Sequence, residues 1–200
     1  VTRTGRPRGF EEDHVVEGAK GVFWQRGYAA TSLRELAKEL DVLPGSLHAT
    51  FGSKHDLYLR ALRDYVNDAS EAAAEISGAA SPLSALRALL GEVLESASAT
   101  PGRGCMLGNS ALELAPQDEP VRELVESGLH ALERGIEEAL LRARDTGEIS
   151  ADVDCAAQAR LLVVLLQGLH VTARAEADPQ RLTTVIDTAL SSITPPSSRS

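Results

Sequence analysis

Apolar residues recur at helical spacing along nearly the whole chain, with turn-forming residues between the runs. Val15, Ala19, Val22 and Phe23 follow i, i+4, i+7, i+8, which predicts an amphipathic helix over residues 10–26, stopped by Gly27. Ser32 stands three residues before Glu35, a capping-box spacing, and Leu33, Leu36, Ala37 and Leu40 supply the stripe of a short helix. Asp41 and Val42 turn the chain, since Asp tolerates the left-handed conformation. Pro44 opens a third helix that ends near Phe51 and is broken by Gly52. Ser53 and Asp56 signal another cap, for a long helix to about Ile76. Beyond Gly78, the pattern predicts a helix from Pro82 to Thr100-Pro101-Gly102 and a short one over 104–114. A long helix over 118–145, one over 155–175 capped by Asp152 or Asp154, and a last from Pro179 to about Ser192 complete it. No segment alternates as a strand. The expected class is all-α, with about nine helices.

Composition adds little until it is located. Of the 200 residues, 43% are hydrophobic and 24% charged, as in a globular protein, which excludes a disordered chain and a collagen-like repeat. Two cysteines, Cys105 and Cys155, cannot build a disulfide framework and point to a reducing, cytoplasmic setting. No charged-then-apolar signal segment is expected at the start. Residues 156–173 carry Gln158, Arg160, Gln167 and His170, a poor membrane span. The net charge of −9 argues against a polyanionic partner only as an average. Residues 1–63 hold ten Lys or Arg against eight Asp or Glu, a net +2, which leaves −11 for the remainder. All the aromatic residues lie at or before Tyr65, so two regions with different work are expected.

Two short helices joined by a tight turn and braced by a preceding helix have the shape of a helix-turn-helix reader. The second short helix offers Ser46, His48 and Thr50 outward and Leu47 and Phe51 inward. Lys54, beside exposed backbone N–H groups, suits a phosphate. Arg3, Arg6 and Arg8 form an arm able to follow the DNA backbone or enter a minor groove. The run Gly27-Tyr28-Ala29-Ala30-Thr31-Ser32-Leu33-Arg34-Glu35-Leu36-Ala37, then Val42, Gly45-Ser46-Leu47 and Phe51-Gly52-Ser53-Lys54, resembles the N-terminal domain of TetR/AcrR-family transcriptional regulators. The resemblance implies a homodimeric regulator, usually a repressor. Its expected parts are a helix-turn-helix domain with a basic arm (1–55), a ligand-sensing and dimerisation domain (56–193) and a disordered tail (194–200). By position, Thr31, Ser46, His48 and Lys54 match family DNA contacts, and Arg6, Arg8, Ser32, Pro44, Gly45 and Thr50 complete the expected DNA-binding set. Three positions depart from the pattern: Leu43 replaces a polar residue, Asp41 replaces the turn glycine, and His48-Ala49 replaces an aromatic-histidine pair.

In the second region Leu161, Leu162, Val163, Val164, Leu165 and Leu166 are apolar nearly all round, which predicts a helix buried on more than one side. The resemblance implies that the last two helices pair with their mates as a four-helix bundle. Such a dimer would read a palindromic operator with recognition helices about 34–36 Å apart or somewhat more. Without aromatics after Tyr65, the expected small-molecule effector is held without aromatic stacking. Candidate sensing residues are Cys105, Met106, Asn109, His130, Gln167 and His170. Cys105 follows Gly102-Arg103-Gly104 and opens a helix, so the helix N-terminus and Arg103 favour its thiolate. The stretch Gly104-Cys105-Met106-Leu107-Gly108-Asn109 resembles a subset of the family that includes electrophile- and oxidant-responsive repressors. The alternative is a small buried cysteine that only packs. No Walker loop, HExxH, GxSxG elbow or dinucleotide fingerprint is present, so neither an enzyme nor a cofactor is expected. The rival classes are a helical protein-interaction module and a redox- or metal-sensing module using Cys105, Cys155, His130 and His170.

Overall fold

A computed structural model describes residues 11–176 and 178–194. The predicted arm contacts Arg6 and Arg8, with Arg3, lie outside the described residues, as does the tail beyond Thr194. Among the described residues there are nine helices and no strand. They are α1 (Glu12–Arg26), α2 (Leu33–Glu39), α3 (Pro44–Phe51), α4 (Lys54–Gly78), α5 (Pro82–Ala99), α6 (Met106–Glu113), α7 (Glu119–Asp145), α8 (Cys155–Thr172) and α9 (Pro179–Ser191).

Side chains near the helix starts explain most boundaries. Ser32 and Ser53 each accept from the backbone three residues on, while Glu35 and Asp56 reach back to the serine N–H groups. These are two complete capping boxes. Both carboxyls are held below their ordinary range, first by the hydrogen bond from the serine side chain. Asp118, Asp154 and Asp178 cap α7, α8 and α9, so Asp154 rather than Asp152 starts α8. Proline occupies the first turn of α3, α5, α7 and α9, where its missing N–H costs nothing.

The turn between α2 and α3 is fixed by the backbone. Val42 N–H donates to the Ala37 carbonyl at 2.9 Å and Asp41 N–H to that of Lys38 at 3.5 Å. This is the Schellman pairing, and it requires a left-handed residue at position 41. Asp41 adopts φ 51°, the one positive φ among described non-glycine residues.

Helix α4 belongs to both regions. Its first half packs on α1, α3 and α6, and its length lies along α7, its most extensive partner. Gly135 of α7 permits that approach: a Cβ there would stand 2.5 Å from Ala73 Cβ. The α1–α4 contact is riveted by Lys20, a buried ammonium bonded to Asp64 (2.9 Å), Asp68 (2.5 Å) and Glu17 (2.6 Å). Burial alone would lower its pKa, but the three carboxylates outweigh burial and raise it. Helix α8 packs on α7 and α5 and buries Leu162, Val163, Leu166 and Leu169. Leu161 (54% exposed) and Val164 (68% exposed) stand free, so in one chain α8 buries a single face rather than the several that its composition predicts. It is the one helix among the described residues long and apolar enough to cross a membrane, with a mean hydropathy of 1.3.

A left-handed aspartate costs backbone energy that glycine avoids. Asp41→Gly is therefore predicted to stabilise the chain by up to about 1 kcal/mol in urea unfolding. A variant less stable than the parent would show that the Asp41 side chain contributes a contact that outweighs the strain.

Candidate nucleic-acid interface and effector cavity

Helix α3 rests on the body of the protein through Leu47 and Phe51, both buried. This leaves Pro44, Gly45, His48 and Ala49 exposed, with Ser46 and Thr50 half-buried beside them. Ser32 is also exposed, at the start of α2. These predicted DNA contacts therefore lie on an accessible surface built from two helix starts. Leu43 is 74% exposed and gives α3 no side-chain cap.

Two of the predicted contacts point elsewhere. Thr31 is 2% exposed, and its hydroxyl donates to the Gly27 carbonyl at 2.8 Å. It closes the α1–α2 loop, because a hydroxyl there satisfies a carbonyl left over at the end of α1. The Lys54 ammonium donates to the carbonyls of Tyr28 (3.0 Å) and Thr31 (2.9 Å) and lies 3.9 Å from the centre of the Tyr28 ring. The nearby carbonyls and the ring capture the cation that the sequence suggests for a phosphate. Tyr28 itself belongs to an aromatic cluster with Phe23, Tyr58 and His55.

The same loop is tied to the second region. Glu113, at the end of α6, accepts from Tyr28 N–H (2.9 Å) and Ala29 N–H (2.6 Å). His55 pairs with Asp118 at 2.6 Å. Ser110 donates to the Met106 carbonyl, so the buried Tyr58 hydroxyl donates to Ser110 at 2.7 Å. Burial pushes that tyrosine up to about 12. Nearer the cavity, Trp24 Nε1 donates to the Gly104 carbonyl at 2.8 Å, the Arg103 guanidinium lies 3.5 Å from the Trp24 ring centre, and Tyr65 meets the indole edge-on at 4.8 Å.

A cavity of about 190 Å³ opens beneath this joint, between α1, α4, α5, α6, α7 and α8. Its walls include Trp24, Tyr65, Leu89, Leu107, Leu132 and Leu166, with Cys105, Gln167 and His170 among its polar members and Glu92 and Ser96 on the exposed α5 side. Three of the predicted sensing residues thus meet in one place. Cys105 is 5% exposed, with Sγ 3.6 Å from the Tyr65 hydroxyl, whose pKa is raised well above normal by burial and then by Cys105. Arg103 lies over Trp24 rather than pairing with a carboxylate. Burial pushes His170 down to about 4, so its imidazole is neutral at pH 7.

The other three predicted sensing residues fall outside the cavity. Met106 is a core residue. Asn109 is committed to the 101–105 loop, donating to the Arg103 carbonyl (2.9 Å) and accepting from Arg174 (3.1 Å). His130 is exposed on α7. Trp24 and Tyr65 form part of the cavity wall, because α1 reaches across to a region that has no aromatic of its own after residue 65. No periodicity signals Trp24, whose acceptor lies 80 residues away. The α5 wall was legible as a face, since Leu89, Glu92, Val93 and Ser96 follow i, i+3, i+4, i+7. Among the described residues the single cluster of three possible metal ligands is Glu17, Asp64 and Asp68, whose carboxylates already hold Lys20.

Comparison with known proteins agrees with this geometry. Residues 15–61 match the family model "Bacterial regulatory proteins, tetR family", and residues 82–189 match "Tetracyclin repressor-like, C-terminal domain". The chain is 34% identical over 191 residues to the HTH-type transcriptional regulator YezE of Bacillus subtilis (strain 168), covering 94% of this chain and 98% of YezE. It is 28% identical to the HTH-type transcriptional repressor ComR of Escherichia coli (strain K12), covering 93% and 90%. Among solved structures, a cysteine-substituted CifR, a TetR-family regulator complexed with 26-bp double-strand operator DNA, superimposes with a TM-score of 0.79 at 32% identity, covering 94% of this chain and 100% of that one. The chain belongs to the TetR family of DNA-binding transcriptional regulators.

Proposed function

We propose that the protein is a homodimeric, cytoplasmic repressor that leaves a palindromic operator when a small molecule enters the cavity beneath Trp24. Residues 1–55 read DNA, and 56–193 sense the effector and dimerise. The observation that carries this reading is the shared wall: Trp24, which lines the cavity, sits in the last turn of α1, and the neighbouring Arg26 pairs with Glu39 of α2, the helix packed on the reading helix. Occupancy that displaces Trp24 or the 101–105 loop pulls on the α1–α2 loop through Glu113 and reorients α3. The effector acts only through differential affinity, so it must bind the free protein more tightly than the operator complex.

Operator contact falls to Ser32, Pro44, Gly45, Ser46, His48 and Thr50, with Arg6 and Arg8 from the arm. Thr31 and Lys54 act through the loop that they close. Binding to a selected duplex should weaken steeply and log-linearly with salt, as phosphate contacts release counterions. His48→Ala should reduce affinity roughly tenfold, one good contact's worth, without lowering the unfolding midpoint. Salt-independent binding, or a His48→Ala protein that binds like the parent, would defeat the reader assignment.

The dimer is assigned to the outer faces of α8 and α9, where Leu161, Val164, Val171 and Val185 stand exposed. Large apolar side chains left exposed along a helix, as Leu161, Val164 and Val171 are on α8, favour such an interface. Val164→Arg should shift the sedimenting species to a monomer and abolish operator binding together. A dimer that persists unchanged would place the interface elsewhere.

A second reading rests on Cys105, the one thiol in the cavity wall. A small electrophile admitted to the cavity would meet that sulfur and swell the same space. Cys105→Ser should keep its grip on the duplex in N-ethylmaleimide concentrations that release the parent. Equal release of both proteins would remove Cys105 as a sensor.

A further inference from the structure

The reading helix is poor in the side chains that read bases by hydrogen bonds. Arg and Lys pair with guanine, Asn and Gln with adenine, and Asp and Glu accept from cytosine. Helix α3, Pro44-Gly45-Ser46-Leu47-His48-Ala49-Thr50-Phe51, contains none of these six residue types. Its hydrogen-bonding side chains are Ser46, His48 and Thr50, each suited to single bonds rather than to the paired bonds that fix one base.

What the start of the helix presents is carbon. Leu43 is 74% exposed and stands outside the apolar core. It is the residue that begins α3, yet it gives the helix no side-chain cap. Ser, Thr, Asn or Asp is favoured at such a position, because a side-chain oxygen satisfies an N–H of the first turn. Leucine there serves neither the packing of this chain nor the start of its helix. Pro44 and Ala49 add further exposed carbon. Gly45 is exposed as well, and a Cβ on it would meet nothing within 4 Å. The fold does not call for glycine at that helical position, whereas a partner drawn close to the first turn does.

Thymine is the base whose major-groove edge carries an apolar group, its C5 methyl. A leucine packed on that methyl takes apolar surface of both out of water. The same leucine on a phosphate or an amino group would strip away water and return no hydrogen bond. Leu43 is continuous with Pro44, Gly45 and Ser46 of the operator-contacting surface, so the occupant it faces is DNA.

We infer that the protein recognises its operator through thymine methyl groups, with Leu43 as the specificity-determining residue that packs on a C5 methyl in each half-site. This rests on the reading of α3 as the DNA-contacting helix and names what that helix recognises.

The test selects duplexes from random DNA with the full chain, then replaces thymine by deoxyuridine at one symmetry-related pair of positions at a time. The exchange deletes the methyl and keeps every hydrogen-bonding group of the base. Affinities are compared at one salt concentration. Burying one methyl is worth about fourfold, so at one such pair the parent should bind the uracil duplex roughly fifteenfold more weakly. Leu43→Met, which keeps an apolar side chain, should retain most of that difference. Leu43→Ser should bind the thymine and uracil duplexes alike at that pair, while its urea midpoint rises because serine restores the cap. A parent indifferent to every methyl would overturn the inference, as would Leu43→Ser with the parent's full sensitivity. A chain that selects no duplex removes the reading of α3 and this inference with it. A chain that selects a duplex and ignores its methyls removes only the role of Leu43.

Discussion

An indole N–H taken out of water must find an acceptor, and the acceptor that Trp24 finds is the carbonyl of Gly104. That one requirement joins the two regions. It sets the last turn of α1 against the 101–105 loop, brings the Arg103 guanidinium over the ring and presents the ring edge to Tyr65 of α4. Around it stand Glu113 on two backbone N–H groups, His55 on Asp118 and Tyr58 on Ser110. Each such bond contributes about 1 kcal/mol net, so the joint as a whole holds a few kcal/mol. Allosteric couplings typically amount to about 1–3 kcal/mol. If the proposed effector acts there, a joint of this size lies within the range of an ordinary allosteric coupling.

Local chemistry made the fold legible in advance. Helix starts are decided within four residues, and Ser32 with Glu35, Ser53 with Asp56, and Pro44, Pro82 and Pro179 signal theirs without reference to the rest of the chain. The left-handed Asp41 is of the same kind, since the turn geometry alone demands it. The site was less legible, because contacts far apart in sequence decide it. Thr31 and Lys54 carry the right groups for DNA, yet carbonyls left over at the end of α1 and in the following loop claim them. Cys105, Gln167 and His170 could be chosen as polar residues in apolar surroundings, but Asn109 and His130 fit that description equally well. Only the packing separates the three that meet from the two that do not. Trp24 was hidden most completely, as an aromatic on an amphipathic helix reads as core of its own region.

The acids near the reading surface also have a local origin. Glu35 and Asp56 are needed at the third position of their helices, and the hydrogen bonds that hold them there keep them ionised. Capping thus places negative charge close to a surface meant for phosphate. Several cations of the same region are already spent inside the protein: Lys20 on three acids, Arg26 on Glu39, Arg60 on Glu12 and Lys54 on two carbonyls. Among the described residues of α2, Arg34 and Lys38 are exposed and have no carboxylate partner. The net +2 of residues 1–63 therefore misstates what DNA would meet, because the paired charges cancel at short range and the unpaired ones do not. With so few free cations among the described residues, Arg3, Arg6 and Arg8 weigh heavily in the sequence's basic balance.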